Sequence, residues 1–278
     1  MNYNETNPCP IEITMQLICK KWRIQILRDM FFGRKRFNEF KEDKPTLSNK
    51  VLSNCLKEME EDNLIKRTKM FYLCLSYKHN FNKILEEVKK ELTNEKIDAE
   101  IFWIKNKPIQ GCTACYKCIE LGKCAFEDTV NEFVEKMKDA DGFIFGTPVH
   151  YGSAAGNFIS FLDRVFYSAG LSGKADYFMF KPAASVITAR RAGTTATYDE
   201  LNKYFGINQM PIISTRYWNM VFGDSQDPDA LYKNEEGIQF VKMLARNMAY
   251  YLKCIELGKE NGILPPEQEE VKFTNFVR

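Results

Sequence analysis

Two hydrophobic patterns run along this chain. One repeats every three to four residues, as the buried face of a helix does; the other is unbroken over four to six residues, as in a strand covered on both sides. The helical pattern covers residues 15–31, with Leu17, Ile18, Trp22, Ile26, Leu27 and Met30 on its buried side. Phe37 and Phe40 begin a shorter helical pattern that Lys44-Pro45-Thr46 breaks, and Thr46 or Ser48 is placed to cap the next helix. That helix, residues 47–59, gathers Leu47, Val51, Leu52, Cys55, Leu56 and Met59 into one stripe. Further helical stripes cover 81–92, 126–140, 157–167 and 235–257. The unbroken runs are 70–75, 142–145 and 183–188, and 99–104 reads as a further parallel strand. Strand runs alternating with helices predict an α/β fold, a doubly wound parallel sheet, from Met70 onward.

Ligands of such a sheet bind just past the carboxyl ends of its strands. After the run 142–145 the chain reads as a Gly146-Thr147-Pro148 turn followed by Val149, His150, Tyr151 and Gly152. These residue types suit a flat ring. Gly146 and Gly152 let backbone approach, Pro148 stiffens the turn, and His150 and Tyr151 offer ring faces with polar tips. An ordinary strand–turn–helix connection has the same pattern. The run 183–188 ends in Ala189-Arg190-Arg191-Ala192-Gly193, on the same predicted ligand face.

With 278 residues the chain is long enough for one large or two ordinary domains. No window offers the ~20 apolar residues of a membrane span, and the first ten residues lack the order of a signal peptide, so a cytoplasmic protein without a membrane partner is expected. Residues 1–70 carry 14 Lys/Arg against 10 Asp/Glu, the remainder 25 against 27. This excess fits a nucleic-acid partner for the first quarter. There, the polar side of 47–59 shows Ser48, Asn49, Lys50, Ser53, Asn54 and Lys57, donors and cations able to meet phosphates and base edges. A solvated helix face has the same composition. Of nine cysteines, Cys112, Cys115, Cys118 and Cys124 follow a C-x2-C-x2-C-x5-C spacing, with Gly122 permitting the turn that returns the last. Such crowding in a reducing compartment points to an iron–sulfur cluster, a four-thiolate zinc site or metal-free thiols.

Two resemblances add to this reading. CPIEITMQLICKKWRIQILRDMFFGRKRFNEF followed by LSNKVLSNCLKEMEEDNLIKR resembles the HxlR-type winged-helix regulators. It implies an N-terminal winged helix-turn-helix domain over 1–69, whose helix 47–59 enters the DNA major groove, with Cys9 as a redox-sensing candidate or a small buried residue. DADGFIFGTPVHYG and FLDR, with ITARRAG, NQM and YWN further on, resemble the NADPH-dependent FMN reductase and iron–sulfur flavoprotein family. That implies a flavodoxin-like domain over 70–278 with FMN, NAD(P)H as electron donor and a [4Fe–4S] cluster on the four cysteines. It also implies a small-molecule electron acceptor, and a homodimer or higher homo-oligomer is expected. Thr147, Pro148, Val149, His150, Tyr151 and Gly152 would line the flavin ring. Arg190 and Arg191 would meet its carbonyl edge or a nicotinamide phosphate, and Ser76, Lys78, Asn80 and Asn82 the FMN phosphate.

Residues 70–92 answer to both patterns, as wing and dimerisation helix in one, first strand and phosphate loop in the other. The unbroken run 70–75 favours the strand, because a wing strand alternates. His150 stands where the flavin family has Tyr, Tyr77 where it has Pro and Lys78 where it has Arg, and the loop 76–82 has no glycine. Two functions follow. One is an FMN-binding reductase with a DNA-binding head. The other is a transcriptional regulator whose flavodoxin-like part senses redox state or a small molecule without turnover.

Overall fold

The computed structural model describes residues 9–34, 39–65, 70–75, 80–105, 107–223, 227, 229–269, 272 and 274. The chain divides into two compact units, Met1–Thr68 and Lys69–Arg278.

The first unit contains α1 (Pro10–Ile18), α2 (Arg23–Phe31), a 3-10 turn (Glu39–Lys41) and α3 (Asn49–Glu61). The one helix expected over 15–31 is therefore two. Trp22 adopts a left-handed φ of 79° and separates them. Ile18 and Trp22 are four apart, so a stripe judged by spacing passes over the bend unseen. Ile26, Phe40, Leu47, Leu52, Cys55 and Met59 form the small core, with Trp22, Leu27 and Met30 packed against it. Val51 of the expected stripe is instead 44% exposed; Phe37 lies outside the described residues. Ser48 caps α3, its hydroxyl accepting from the Val51 N–H at 3.3 Å. Asn63 turns the chain after α3 at φ 56°, a conformation asparagine accepts more readily than most residues.

In the second unit β1 (Met70–Leu75) is followed by α4 (Asn80–Asn94), β2 (Asp98–Trp103), α5 (Lys117–Leu121), α6 (Thr129–Met137), β3 (Gly142–His150) and β4 (Ser153–Ala154). Then come α7 (Gly156–Leu171), β5 (Ala183–Ala189), α8 (Thr194–Ile207), β6 (Met220–Phe222), α9 (Ala230–Lys233) and α10 (Glu235–Glu260). The strands order as β2-β1-β3-β5-β6, all parallel, with β4 returning antiparallel on β3. Without that hairpin this is the 2-1-3-4-5 order of a flavodoxin-like sheet. β1 is interior, bonded to β2 on one side and β3 on the other, so the segment 70–75 is a sheet strand.

Burial on both faces explains the unbroken runs. Phe143 and Phe145 pack with α6, α7 and α8, whereas Ile144 between them packs with α4 and α10. Ala183 and Ile187 of β5 face the first layer, Ala184 and Val186 the second. The expected Gly146-Thr147-Pro148 turn is strand instead: these residues pair with Val186, Ile187 and Thr188 of β5. The turn comes later, at Tyr151, with φ 66°. Gly146 also has a different role from the one expected. A Cβ there would lie 2.1 Å from Phe81 Cε1, so its bareness admits the α4 side chain that closes the core. Among the described residues no helix is long and apolar enough to cross a membrane.

Candidate functional site

Three groups of sequence-predicted residues occupy three places. The first is the carboxyl end of the parallel sheet. Thr147 is fully buried, and its hydroxyl accepts from the Ala155 N–H at 3.2 Å, tying the end of β3 to the start of α7. Beyond it, Pro148 and Val149 are half-buried, while His150, Tyr151 and Gly152 are exposed, the Tyr151 side chain wholly so. The end of β5 lies beside this loop. A Cβ on Gly193, at φ 95°, would come 2.9 Å from Val149 Cγ1, so the two strand-end loops touch there. Arg190 and Arg191 are exposed just ahead of that contact. Exposed rings, cations and a glycine on touching strand-end loops fit a flat ligand with a polar edge. Ser76 and Lys78 lie outside the described residues. Asn80 opens α4 and is described by its backbone alone, and Asn82 is half-buried in the first turn of that helix.

The second place is the cysteine loop. Cys112, Cys115, Cys118 and Cys124 line one pocket, together with Tyr116, Phe126, Arg164 and Tyr167. None of residues 147–152 lines that pocket. Cys112 and Cys115 are exposed, Cys118 and Cys124 buried. Ala114 and Tyr116 take left-handed φ values of 49° and 55°, as does Gly122 at 67°. For the two non-glycines that conformation costs on the order of 1–2 kcal/mol each, and it persists where surrounding contacts impose it. A backbone N–H from Lys117 at the start of α5 holds the Cys115 thiol below its ordinary pKa, whereas burial pushes that of Cys118 up. The Tyr167 hydroxyl is raised, first by its hydrogen bond with Tyr116.

Contacts from α6 and α7 fix the two flanks of this loop. Asn131 bonds the Cys124 backbone twice, its Oδ1 accepting from the N–H at 3.0 Å and its Nδ2 donating to the carbonyl at 2.9 Å. Arg164, 1% exposed, donates to Cys124 Sγ from Nε at 3.3 Å and from Nη2 at 3.2 Å. It also pairs with Asp128 through both Nη atoms, at 2.5 and 3.0 Å. Neither Arg164 nor Asn131 was a predicted site residue. The readable signal was an arginine amid the apolar stripe of 157–167, next to Val165 and three residues after Phe161. Among the described residues no three His, Cys, Asp or Glu side chains are arranged to hold a single metal ion. Four cysteines lining one pocket, with a cation against the Cys124 sulfur, would suit a larger anionic iron–sulfur core, whose thiolates attach to separate irons.

The third place is α3 of the first unit, where Ser48, Asn49, Lys50, Ser53, Asn54 and Lys57 are all exposed. Buried ions hold the helix at both ends. Arg23, fully buried, donates to Asp62 at 2.5 Å, to Glu58 at 3.0 Å and to the Leu17 carbonyl at 2.7 Å. Ahead of the helix, Lys44 pairs with Asp29, both 4% exposed in their side chains. Burial raises the Asp29 carboxyl, but hydrogen bonds from Lys44 and Arg28 outweigh it and hold the group below its ordinary range. Cys9, half-buried, sits at the N-terminus of α1.

Comparison with known proteins gives two matches. A model of the NADPH-dependent FMN reductase family matches residues 74–224, and one of the HxlR-like helix-turn-helix matches 17–95. An iron–sulfur flavoprotein of Methanocaldococcus jannaschii is 25% identical over 183 residues, covering 64% of this chain and 92% of that protein. An HTH-type transcriptional regulator of Bacillus subtilis, YybR, is 35% identical over 65 residues, or 23% of this chain; the match spans 52% of the regulator. A solved flavodoxin from the domain Archaea superposes with a TM-score of 0.45 at 11% identity, over 67% of this chain and 99% of that one.

Proposed function

Because the chain belongs to the NADPH-dependent FMN reductase family, we infer that its second unit is an NAD(P)H-dependent flavin oxidoreductase, answerable to DNA through its HxlR-like head. When bound, FMN supplies the hydride-accepting ring and a [4Fe–4S] cluster a one-electron store. The chain positions both. Thr147, Pro148, Val149, His150, Tyr151 and Gly152 lie along the flavin ring, and Arg190 and Arg191 neutralise its carbonyl edge or a nicotinamide phosphate. Ser76, Lys78, Asn80 and Asn82, with the N–H groups opening α4, hold the FMN phosphate. Cys112, Cys115, Cys118 and Cys124 ligate the cluster, as the name of the M. jannaschii relative supports. On the head, Ser48, Asn49, Lys50, Ser53, Asn54 and Lys57 meet the major groove, and Cys9 is a candidate redox sensor. The protein works as a homo-oligomer in the reducing cytoplasm, passing electrons to a small-molecule acceptor such as a quinone or nitro compound.

The observation that carries this reading is the family match over 74–224, together with two touching strand-end loops bearing rings and arginines. An anaerobic absorption spectrum of the purified protein tests it. Flavin bands that bleach on addition of NADPH and return with a quinone are expected; a protein purified without flavin that takes none up from excess FMN refutes it. A second reading, a sensor without turnover, draws on the glycine-free loop 76–82 and the Ser48-capped α3 with its exposed polar face. It predicts flavin uptake and operator binding with no steady-state NADPH consumption.

A further inference from the structure

Resting on the reading that the four cysteines hold a cluster, we propose that Arg164 is the positioning residue for its fourth ligand, acting on the Cys124 sulfur itself. Cys112, Cys115 and Cys118 are spaced by two residues, so local turns bring them together. Cys124 is different. It lies beyond α5 and the Gly122 turn, and its side chain needs a partner from elsewhere in the fold. Asn131 fixes its backbone, and two N–H donors of Arg164 fix its sulfur.

The same guanidinium joins both flanks of the motif. It donates to the Gln110 carbonyl at 3.3 Å ahead of Cys112, and to the Phe126 carbonyl at 3.1 Å behind Cys124. Phe126 also lies under its face, 5.0 Å from Cζ to ring centroid. Asp128 neutralises the charge through Nη1 and shares Nη2 with the sulfur, while Nε is aimed at the sulfur. Only a planar fork with five donors serves two carbonyls, a carboxylate and a sulfur at once, which a lysine cannot do. N–H groups on a ligand sulfur also stabilise the more negative, reduced state of a cluster. Arg164 thus makes the Cys124 corner unlike the exposed corner at Cys112 and Cys115.

The test uses the full chain and its Arg164→Lys and Arg164→Met variants. In metal-free protein, alkylation of each cysteine is followed by mass spectrometry above the thiol pKa range, so that rate reports access. In wild type, Cys124 is expected to label at least tenfold more slowly than Cys112. In Arg164→Lys, with an unchanged melting temperature, that protection falls severalfold although Asn131 still holds the backbone. After anaerobic reconstitution, the variant clusters should show a more negative midpoint potential and fewer irons per chain, Arg164→Met more than Arg164→Lys. Unchanged Cys124 protection and unchanged potential in Arg164→Lys would overturn the proposal, leaving the arginine a purely structural ion. A wild type that binds no iron refutes the cluster reading instead, while the labelling still decides the role of Arg164.

Discussion

Gly146 and Lys181 show how much of this protein's behaviour is set one residue at a time. A methyl on Gly146 would press into the Phe81 ring at 2.1 Å, in a core with no slack. Gly146→Ala is expected to cost about 1–3 kcal/mol in urea unfolding of the second unit. Adding Phe81→Leu should return part of that loss; a Gly146→Ala protein as stable as wild type would show that the ring yields freely. Lys181 donates to the Met137 and Lys138 carbonyls at the end of α6, at 2.6 and 3.1 Å. Burial lowers its pKa to about 8. Between about 8 and its ordinary 10.5 the unfolded chain therefore binds the proton and the folded one does not. Stability from this group rises with pH across that window. Measured against Lys181→Met, the wild-type advantage should grow from pH 8 to pH 10; a constant difference would rule out the titration.

At the scale of elements, α3 is held by charges rather than by its own apolar stripe alone. Removing one partner of a buried ion pair costs roughly 3–5 kcal/mol, whereas replacing both is often neutral. Lys44→Met should fall at or below that range, because Arg28 and Arg34 still reach Asp29, at 2.9 and 3.3 Å. Lys44→Met with Asp29→Leu should recover most of the loss in thermal unfolding of the head; a double variant weaker than the single would mean the pair is itself stabilising. For DNA, Lys50→Ala should weaken binding across sequences and reduce the salt slope by about one unit, as loss of a phosphate contact does. The two family models overlap over 74–95, which holds the last two residues of β1 and the whole of α4. Here the fold decides between them. Phe81, Ile84, Leu85, Val88 and Leu92 of α4 are buried against the sheet and α10, so this helix is committed to the second unit's core.

For the whole molecule, the short connection matters most. Only residues 62–69 lie between α3 and β1, and none is Gly, Ser or Pro. In the proposed function the loop after β1 holds the flavin phosphate, about fifteen residues along the chain from the end of α3. Paired heads must match one turn of DNA, about 34 Å. Operator affinity is therefore expected to differ between flavin-free, oxidised and reduced protein by the usual coupling of about 1–3 kcal/mol. Isotherms on one operator at one salt concentration measure it, and three superimposable curves would disprove coupling.

What the sequence by itself determined is whatever depends on how many faces of an element are buried. The runs 142–145 and 183–188 are almost wholly apolar because both sheet faces are covered there, and each lies within a parallel strand, as do 70–75 and most of 99–104. The α3 stripe, its Ser48 cap and the grouping of four cysteines were legible for the same reason: period and spacing are local. Partners far apart in the chain were not. That Gly146, Thr147 and Pro148 extend β3 depended on β5 lying alongside, some 40 residues on. The break at Trp22 was hidden because spacing records a face and not a direction. Arg164 became the hub of the cysteine loop only when α7 brought it against a sulfur 40 residues earlier, a contact no local period encodes.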